Sequence, residues 1–305
     1  MKKSASVLVL LLLFSFVLVS LPQIGMVKAD ESIYIRADGS VEGTDKIQRV
    51  ENVYTFTDNI STGSYTGSVV LDVDGIIIER DNIVVDGVGY TLQAVFPTID
   101  TGAGITLLGR SNVTIKNIQI RHYANGIRFG NSSNSNIHGN NINAVTGIHI
   151  FNHSSSNIIT GNSMTCGACD SWHGIIFSNS SDNIISENNI TNNSYYGILL
   201  NTSFNNIFLQ NNFINNSIQI SSVGGSINVW DNGVSGNYWD DYTGADSGGD
   251  GIGDTPYVIG ENNIDNSPLM QPVIIPEFPS WIILPLFFVA TLVGVVVKRK
   301  IFRPT

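Results

Sequence analysis

The sequence predicts an all-β protein: a single-stranded right-handed parallel β-helix of about six rungs, with a cap at each end. Three observations lead to this prediction. A unit of about 22 residues recurs along the middle of the chain, Asn is heavily overused, and short β-branched runs alternate with Asn- and Gly-marked turns. A period near 22 suits one coil of three short strands, whereas helical repeats need residues that favour helices. Leucine-rich repeats share the length, but their consensus is absent.

The chain begins with the features of a secretory signal. Lys2 and Lys3 precede an apolar run, and residues 27–29 then offer small side chains to a signal peptidase. Residues 1–29 are therefore predicted to be a signal peptide, with an uncleaved signal anchor as the alternative.

Residues 30–81 do not share the repeat and are predicted to form an N-terminal β cap. The end of a solenoid exposes unpaired strand edges, which a cap covers. The segments 33–36 and 53–56 have the alternation expected of its strands.

The repeats are predicted over residues 82–225, where two series run in phase. An Asn opens each unit and a Gly-Ile pair closes it, with separations between 21 and 27 residues. Asn tolerates left-handed turns and can form ladders between rungs, and the apolar positions are predicted to stack inward. The Asn series is Asn112, Asn136, Asn157, Asn183 and Asn206; the Gly series is Gly104, Gly126, Gly147, Gly174 and Gly197; the inward stacks are Ile105, Ile127, Ile148, Ile175 and Ile198, and Ile118, Ile142, Met164, Ile190 and Phe213.

Residues 226–272 are rich in Asp and Gly and are predicted to cap the far end. Within them, Asp246, Asp250 and Asp254 are spaced four residues apart, a pattern that can wrap one calcium ion with the carbonyl of Ile252 as a further ligand. The loop lacks the bidentate Glu of an EF-hand, and an ordinary acidic turn is the alternative.

The C-terminal end is predicted to anchor the protein to a membrane. A linker over residues 273–280 leads to an apolar stretch at 281–297, which is long enough to cross a thin bilayer, and to a basic cytoplasmic tail at 298–305. A buried core helix is the alternative. The motif Pro276-Glu277-Phe278 before this stretch resembles the PEF-type sorting signal of archaeal surface proteins. That resemblance implies a sorting protease that removes the tail, after which a lipid holds the protein on the extracytoplasmic face.

The charge distribution disfavours nucleic acid as a partner. The net charge is −10, and no Lys or Arg occurs from 129 to 297, whereas that stretch holds twelve acidic residues. An acidic surface repels polyanions. The basic residues of the repeat region, Arg110, Lys116, Arg121 and Arg128, are confined to its first part.

Residues 82–270 resemble the NosD-like, carbohydrate-binding and sugar-hydrolase (CASH) type of β-helix protein. The rungs carry part of the likeness, and the closing stretches 236–242 and 266–270 carry the sharper part, in a form typical of archaeal members. The family name comes from copper-enzyme maturation, but the chain lacks the Met/His cluster that a soft copper site needs.

Cys166 and Cys169 stand in the longest repeat, close to His173. Outside the cell a local disulfide is the plainer interpretation. The pair could also supply half of a zinc site, although no second ligand pair is evident.

The variable turn before each Gly-Ile pair carries aromatic side chains. Because the same turn of each coil lies on the same edge, these rings are predicted to form a strip that stacks on sugar faces. The alternative is that the rings merely pack against one another. The strip comprises Tyr123, Trp172, His173, Tyr195 and Tyr196.

Catalysis has thin support in the sequence. A glycosidase needs two facing carboxylates, and the best available pair joins Asp170 to Asp182 or Glu187. A lyase acting on acidic polysaccharides needs basic residues, which lie away from these acids. The sequence therefore favours a surface structural or carbohydrate-binding role, with a polysaccharide hydrolase or lyase and a metal-handling accessory protein as alternatives. Nine Asn-x-Ser/Thr sequons make surface glycosylation a further expectation.

Overall fold

A computed structural model describes residues 32–63, 73–95, 102–165 and 172–275, in which every regular element is a β-strand. Within these residues no helix is long and apolar enough to cross a membrane. The predicted signal peptide, sorting motif, membrane helix and basic tail lie outside the described residues, as do Cys166, Cys169 and Asp170.

The strands are short and follow one another closely along the chain. The first half contains β1 (Ile33–Ile35), β2 (Val41–Glu42), β3 (Ile47–Val50), β4 (Val53–Phe56), β5 (Ile60–Thr62), β6 (Ile76–Ile78), β7 (Ile83–Asp86), β8 (Thr91–Ala94), β9 (Ala103–Leu108), β10 (Val113–Lys116), β11 (Gln119–Arg121), β12 (Asn125–Gly130), β13 (Asn136–His138) and β14 (Asn141–Asn143). The second half contains β15 (Thr146–Phe151), β16 (Ile158–Thr160), β17 (Ser163–Thr165), β18 (His173–Ser178), β19 (Ile184–Ser186), β20 (Asn189–Thr191), β21 (Tyr196–Asn201), β22 (Ile207–Leu209), β23 (Asn212–Ile214), β24 (Ile218–Val223), β25 (Tyr238–Trp239), β26 (Tyr257–Gly260) and β27 (Asn263–Asp265).

These strands form three long sheets, and each coil of the chain adds one strand to each sheet. Sheet A has the order β2-β1-β6-β9-β12-β15-β18-β21-β24, sheet B runs β22-β19-β16-β13-β10-β7-β4-β3, and sheet C runs β25-β23-β20-β17-β14-β11-β8-β5. Strands of successive coils pair in parallel. The predicted right-handed parallel β-helix is therefore confirmed.

The interior is filled by stacked apolar side chains, as predicted. Ile105, Ile127, Ile148, Ile175 and Ile198 pair in register along sheet A and are 0% exposed. No coil buries a core alone, so these contacts between coils hold the solenoid together.

The second predicted stack needs one correction. Ile142 pairs with Met164 on one side and with Ile120 on the other, because β11 starts at Gln119. Ile118 is buried at the adjoining turn and is not a member of the stack.

A first ladder of buried Asn side chains runs along the turn from sheet A to sheet B. From Asn157 to Asn228, each Nδ2 donates to the Oδ1 of the next member at 2.9–3.0 Å. Asn112 and Asn136 of the predicted series do not belong to it, because Asn112 takes a left-handed turn position and Asn136 lies in β13. Ser135 occupies the ladder position instead, with its N–H bonded to Asn157.

A second ladder runs along the turn from sheet B to sheet C. Its amides are fully buried or nearly so, and each donates to the next at 2.9–3.0 Å. The last member meets Asp265, a buried carboxylate that also accepts the Trp239 indole N–H at 2.9 Å. Burial raises the pKa of Asp265 above its ordinary value. The members are Asn140, Asn162, Asn188, Asn211 and Asn237.

The parallel coil begins at β1 rather than at residue 82, which corrects the predicted boundary. β1, β4 and β5 pair in parallel with β6, β7 and β8, while β2 and β3 add antiparallel edges. The segment lacks the Asn and Gly-Ile marks, yet alternation is enough to fill the core with Ile33, Ile35, Tyr54 and Phe56.

Stacked aromatic rings cover the C-terminal end of the core. Trp230 stacks on Phe208, and Trp239 stacks on Phe213, both with ring centroids 4.4 Å apart. Tyr257 stacks on the far side of Trp239 at 4.3 Å. β25 still pairs with β23, so the coil continues to this point, and the β26–β27 hairpin follows.

Candidate functional site on the outer face of sheet A

The connections between sheets differ in how much they vary. From β10 to β23, each turn from sheet B to sheet C has two residues. The successive connections from sheet C to sheet A have 13, 8, 3, 2, 7, 4 and 3 residues. Variation in the length of the connections is therefore concentrated where the chain enters sheet A. The outer face of that sheet is accordingly the candidate site.

Two rows of side chains point outward from sheet A, because the residues between them fill the core. In each row, neighbours are paired in register on adjacent strands. The first row is Asn125, Thr146, His173, Tyr196 and Ile218, and the second is Thr106, Arg128, His149, Ile176 and Leu199.

An aromatic cluster of His173, Tyr195 and Tyr196 stands at the C-terminal part of this face. The two tyrosine rings lie 4.1 Å apart, and the His173 ring lies 5.5 Å from each of them. Tyr195 is 45% exposed. Burial lowers the pKa of His173, so its ring is neutral at pH 7. The cluster combines mutual packing with an exposed apolar surface.

Tyr123 does not belong to an exposed strip, which corrects the prediction. It is 1% exposed, and its hydroxyl hydrogen-bonds to the Thr62 hydroxyl at 2.7 Å. Burial raises its pKa well above the ordinary value. Trp172 is also buried, at 8% exposed. The sequence could not show this, since residues of one turn can point in either direction.

An ionic group lies at the N-terminal part of the same face. Arg128 Nη2 donates to Asp74 Oδ2 at 3.1 Å, and Asp74 Oδ1 also accepts the Ala103 N–H at 2.7 Å. His149 is the register neighbour of Arg128, and its ring lies 5.0 Å from that of Phe151. Burial, then Arg128 and then His173 lower the pKa of His149. The sequence marks Arg128 only as basic; the strand register is what brings these groups together.

A cavity of about 280 Å³ opens at the C-terminal end of the aromatic cluster. It lies between β24 and the β26–β27 hairpin, and Ile218 on its wall is the register neighbour of Tyr196. The Tyr257 hydroxyl donates to the Asp241 carboxylate at 3.1 Å. The residues that line the cavity are Asn216, Ser217, Ile218, Gln219, Ile220, Asp241, Tyr257, Val258 and Ile259.

The predicted catalytic pair joins Asp170 to Asp182 or Glu187, and it stays a prediction because Asp170 lies outside the described residues. Asp182 lies in the turn from sheet A to sheet B and Glu187 in the turn from sheet B to sheet C, with β19 between them. Both are exposed and take left-handed conformations, with φ of 59° and 55°. Their positions are turn positions that Asn and Gly fill in other coils, so these two acids form no facing pair.

The Asp-rich loop is held by its own backbone. The Asp246 carboxylate accepts three N–H groups of the loop at 2.6, 2.9 and 3.2 Å, and Asp254 accepts the Ser247 N–H at 2.8 Å. The backbone bond to Ser247 lowers the pKa of Asp254. No three His, Cys, Asp or Glu side chains are grouped as metal ligands in the described part of the chain. Calcium binding by Asp246, Asp250, Ile252 and Asp254 stays a prediction.

A family model described as "Periplasmic copper-binding protein (NosD)" matches residues 37–244, which is 208 of the 305 residues. The described residues do not fit a copper site. His149 and His173 lie close enough for His173 to lower the pKa of His149, but the described residues hold no third His, Cys or carboxylate ligand beside them. Met164, a soft ligand by type, is buried in the core.

Similar solved structures include the periplasmic alginate epimerase AlgG, at 20% identity and a TM-score of 0.41, covering 49% of this chain and 35% of that one. A tailspike protein mutant of E. coli bacteriophage HK620, in complex with a pentasaccharide, is 10% identical, with a TM-score of 0.43 and coverages of 60% and 37%. The chain thus spans about a third of the length of each, and no curated protein matches it. The family model covers two thirds of the sequence, and with its Asn-marked parallel coils this chain belongs to the NosD family.

Proposed function

We propose that this chain is an extracytoplasmic, membrane-anchored protein that binds a polysaccharide along the outer face of sheet A. The observation that carries the proposal is the partly exposed aromatic cluster of His173, Tyr195 and Tyr196, whose Tyr196 is the register neighbour of Ile218 on the wall of a polar cavity. The role is binding rather than catalysis, and the bound polysaccharide runs along the axis of the solenoid.

The aromatic cluster supplies the apolar part of such a site. Sugar rings present C–H faces that pack on aromatic rings, and a Tyr adds a hydroxyl at the edge of its ring. Tyr195 is held by its contact with Tyr196, so binding orders few new torsions. Rigid aromatic rings are efficient contact surfaces for this reason.

The cavity supplies the polar part. The Asp241 carboxylate on its wall accepts the Tyr257 hydroxyl and has lone pairs left for the hydroxyl groups of a sugar, whereas the Asn216 and Gln219 amides are bonded within the protein. Its volume of about 280 Å³ is at the low end for ligand pockets, so a single ring fits it better than a large cofactor.

Binding is proposed rather than hydrolysis because of where the two described acids, Asp182 and Glu187, lie. Asp182 and Glu187 are on two other turns, so neither faces the aromatic cluster across a groove. A surface glycan or an external polysaccharide is therefore the proposed ligand of this face.

The family description and the sequence patterns at 1–29 and 276–297 support the proposed location. NosD proteins are described as periplasmic, which matches an extracytoplasmic body. The apolar stretch at 281–297 and the motif at 276–278 are the proposed anchor and the proposed site for a sorting protease.

Retention of the purified protein on immobilised polysaccharides tests the proposal. We expect the Tyr195→Ala, Tyr196→Ala double variant to lose at least tenfold in affinity for the retained polymer, since stacking contacts contribute through both rings. Phe204→Ala is the matched control, because Phe204 is a half-buried aromatic on a different turn. Equal retention of the double variant and the wild type, or retention of neither on any polymer, would contradict the proposal.

A further inference from the structure

We infer that the Arg128 end of the sheet A face binds the carboxylate of an acidic sugar, so that the preferred ligand is a polysaccharide that contains uronic acid residues. This inference rests on the proposed function and adds the chemical class of the ligand. The residues that carry it are Arg128, Thr106, His149 and Asp74, on three adjacent strands of sheet A and the turn before β6.

Arg128 is positioned, but its bonding capacity is not used up. The Asp74 carboxylate accepts the hydrogen bond from Arg128 Nη2, and none of the described residues accepts a hydrogen bond from Nε or Nη1. The side chain is 32% exposed. A guanidinium fork held from one side by a carboxylate presents its remaining donors in a fixed plane, and that plane matches the two oxygens of a second carboxylate.

Two unsatisfied polar atoms lie side by side at this point. Arg128 Nε and Thr106 Oγ1 are both buried without a hydrogen-bond partner in the described residues, and the two residues are register neighbours. Thr106 is 2% exposed although it points to the outer side of the sheet. A buried polar group without a partner costs free energy, and these two atoms are shielded from solvent, so a ligand would reach the group through the exposed part of the Arg128 side chain.

His149 completes the group without adding a second cation. Its pKa is lowered by burial, by Arg128 and by His173, so at pH 7 the imidazole is neutral. A neutral imidazole can donate one N–H to an oxyanion beside Arg128. The phenyl ring of Phe151, next to His149, offers an apolar surface to the same sugar.

The opposite end of the face has the opposite charge. Asp241 lines the cavity, and the adjacent Asp240 binds Gln219 and the Asn215 N–H. Four strand spacings separate β12 from β24, which amounts to ~19 Å along the axis. The Arg128 end therefore favours an acidic residue, while the cavity end favours a neutral one, and this difference gives the bound chain a direction.

The test compares two polymers that share a backbone, polygalacturonate and its fully methyl-esterified form, by titration of the whole purified protein at pH 7 and low salt. We expect about tenfold tighter binding of the acid, as one charge-assisted contact would give, and a decrease of this preference with added salt. Arg128→Gln should remove the preference and keep the binding of the ester. Arg121→Gln, an exposed arginine of the same coil on sheet C, should keep the preference.

The outcomes separate the two proposals. Binding of both polymers with equal affinity, or an unchanged preference in Arg128→Gln, overturns the acidic-sugar inference and leaves the polysaccharide proposal standing. Absence of binding to any polymer overturns both. If Arg128→Gln binds neither form, Arg128→Lys decides: it keeps the charge, so tighter binding of the acid than of the ester supports the inference, and equal binding of the two polymers or loss of binding overturns it.

Discussion

Each coil has a turn from sheet B to sheet C and a turn from sheet C to sheet A. The two turns differ in length, in sequence and in role. From β10 to β23 the first has two residues, a left-handed residue that is followed in four of the five turns by a ladder Asn. The second ranges from 2 to 13 residues and leads into the aromatic cluster and the Arg128 group. The constant turn holds the solenoid together, and the variable turn is where different side chains can be presented without disturbing it.

Two sites in these regions also differ in how their polar groups are bonded. Asn188 in the second ladder uses its amide fully, donating to the carbonyls of Ile159 and Ser186 and to Asn211, while its Oδ1 accepts from Asn162. On the sheet A face, the buried Thr106 Oγ1 and Arg128 Nε have no partner among the described residues. Two further atoms share this property, Asn117 Oδ1 in the first constant turn and Asn136 Oδ1 in β13, so the difference is between the Asn188 ladder position and the Thr106–Arg128 site rather than between whole regions.

The largest expected effect is the loss of a ladder member. Asn188→Ala leaves the buried groups of two neighbouring coils without partners, and we expect it to lower the free energy of unfolding by about 3–5 kcal/mol. Asn143→Ala, on the outer side of sheet C, should cost less than about 0.5 kcal/mol. Urea unfolding followed by circular dichroism measures both. Similar costs for the two variants would show that the ladders do not stabilise the coil.

A smaller effect is expected from the left-handed position of the constant turn. Gly161 has φ of 63° and has room for a methyl group, so Gly161→Ala tests backbone strain alone. We expect it to lower the free energy of unfolding by about 1–2 kcal/mol. Gln210→Gly, at the equivalent position with φ of 54°, should change it by less than about 1 kcal/mol. Thermal unfolding provides the comparison, and a neutral Gly161→Ala would rule out strain at this turn.

The smallest effect concerns pH and is confined to the sheet A face. The pKa of His149 is lowered in the folded protein, so its contribution to stability is present above pH 6.5 and is lost as the pH falls through the lower, folded value. We expect a loss of roughly 1 kcal/mol or less between pH 7.5 and pH 5 from this residue. Unfolding of His149→Gln at both pH values should show a smaller loss than the wild type. An equal loss would assign the pH dependence to other groups.

The sequence predicts the constant features better than the variable ones. The Ile105 to Ile198 stack and the existence of Asn ladders follow from the repeat, because a periodic sequence in a solenoid places equivalent residues above one another. Assigning Asn112 and Asn136 to the ladder is wrong, since the left-handed position, the ladder position and the first strand position follow one another in the chain, and Asn occurs at all three. The repeat marks identify the residue type and leave the register uncertain by one or two residues.

Features without a local repeat could not be predicted. The first coil at 32–63 has no Asn or Gly-Ile mark, so only its alternation of buried residues indicates that it belongs to the solenoid. The inward orientation of Tyr123 depends on Thr62 in a coil two turns away. The Asp74–Arg128 pair joins residues 54 positions apart, and only strand register reveals it.

The ladders give the solenoid an electrical direction. In both ladders each Asn amide donates to the next member on its C-terminal side. The amide dipoles therefore align head to tail, with their positive ends toward the stacked aromatic rings at the C-terminal end of the core. Aligned dipoles polarise one another, and a negative group is stabilised where their positive ends meet. The second ladder terminates on the buried Asp265 carboxylate. The fold thus behaves as a polar stack of coils, which can lengthen by whole coils while keeping an acidic side chain at its positive pole.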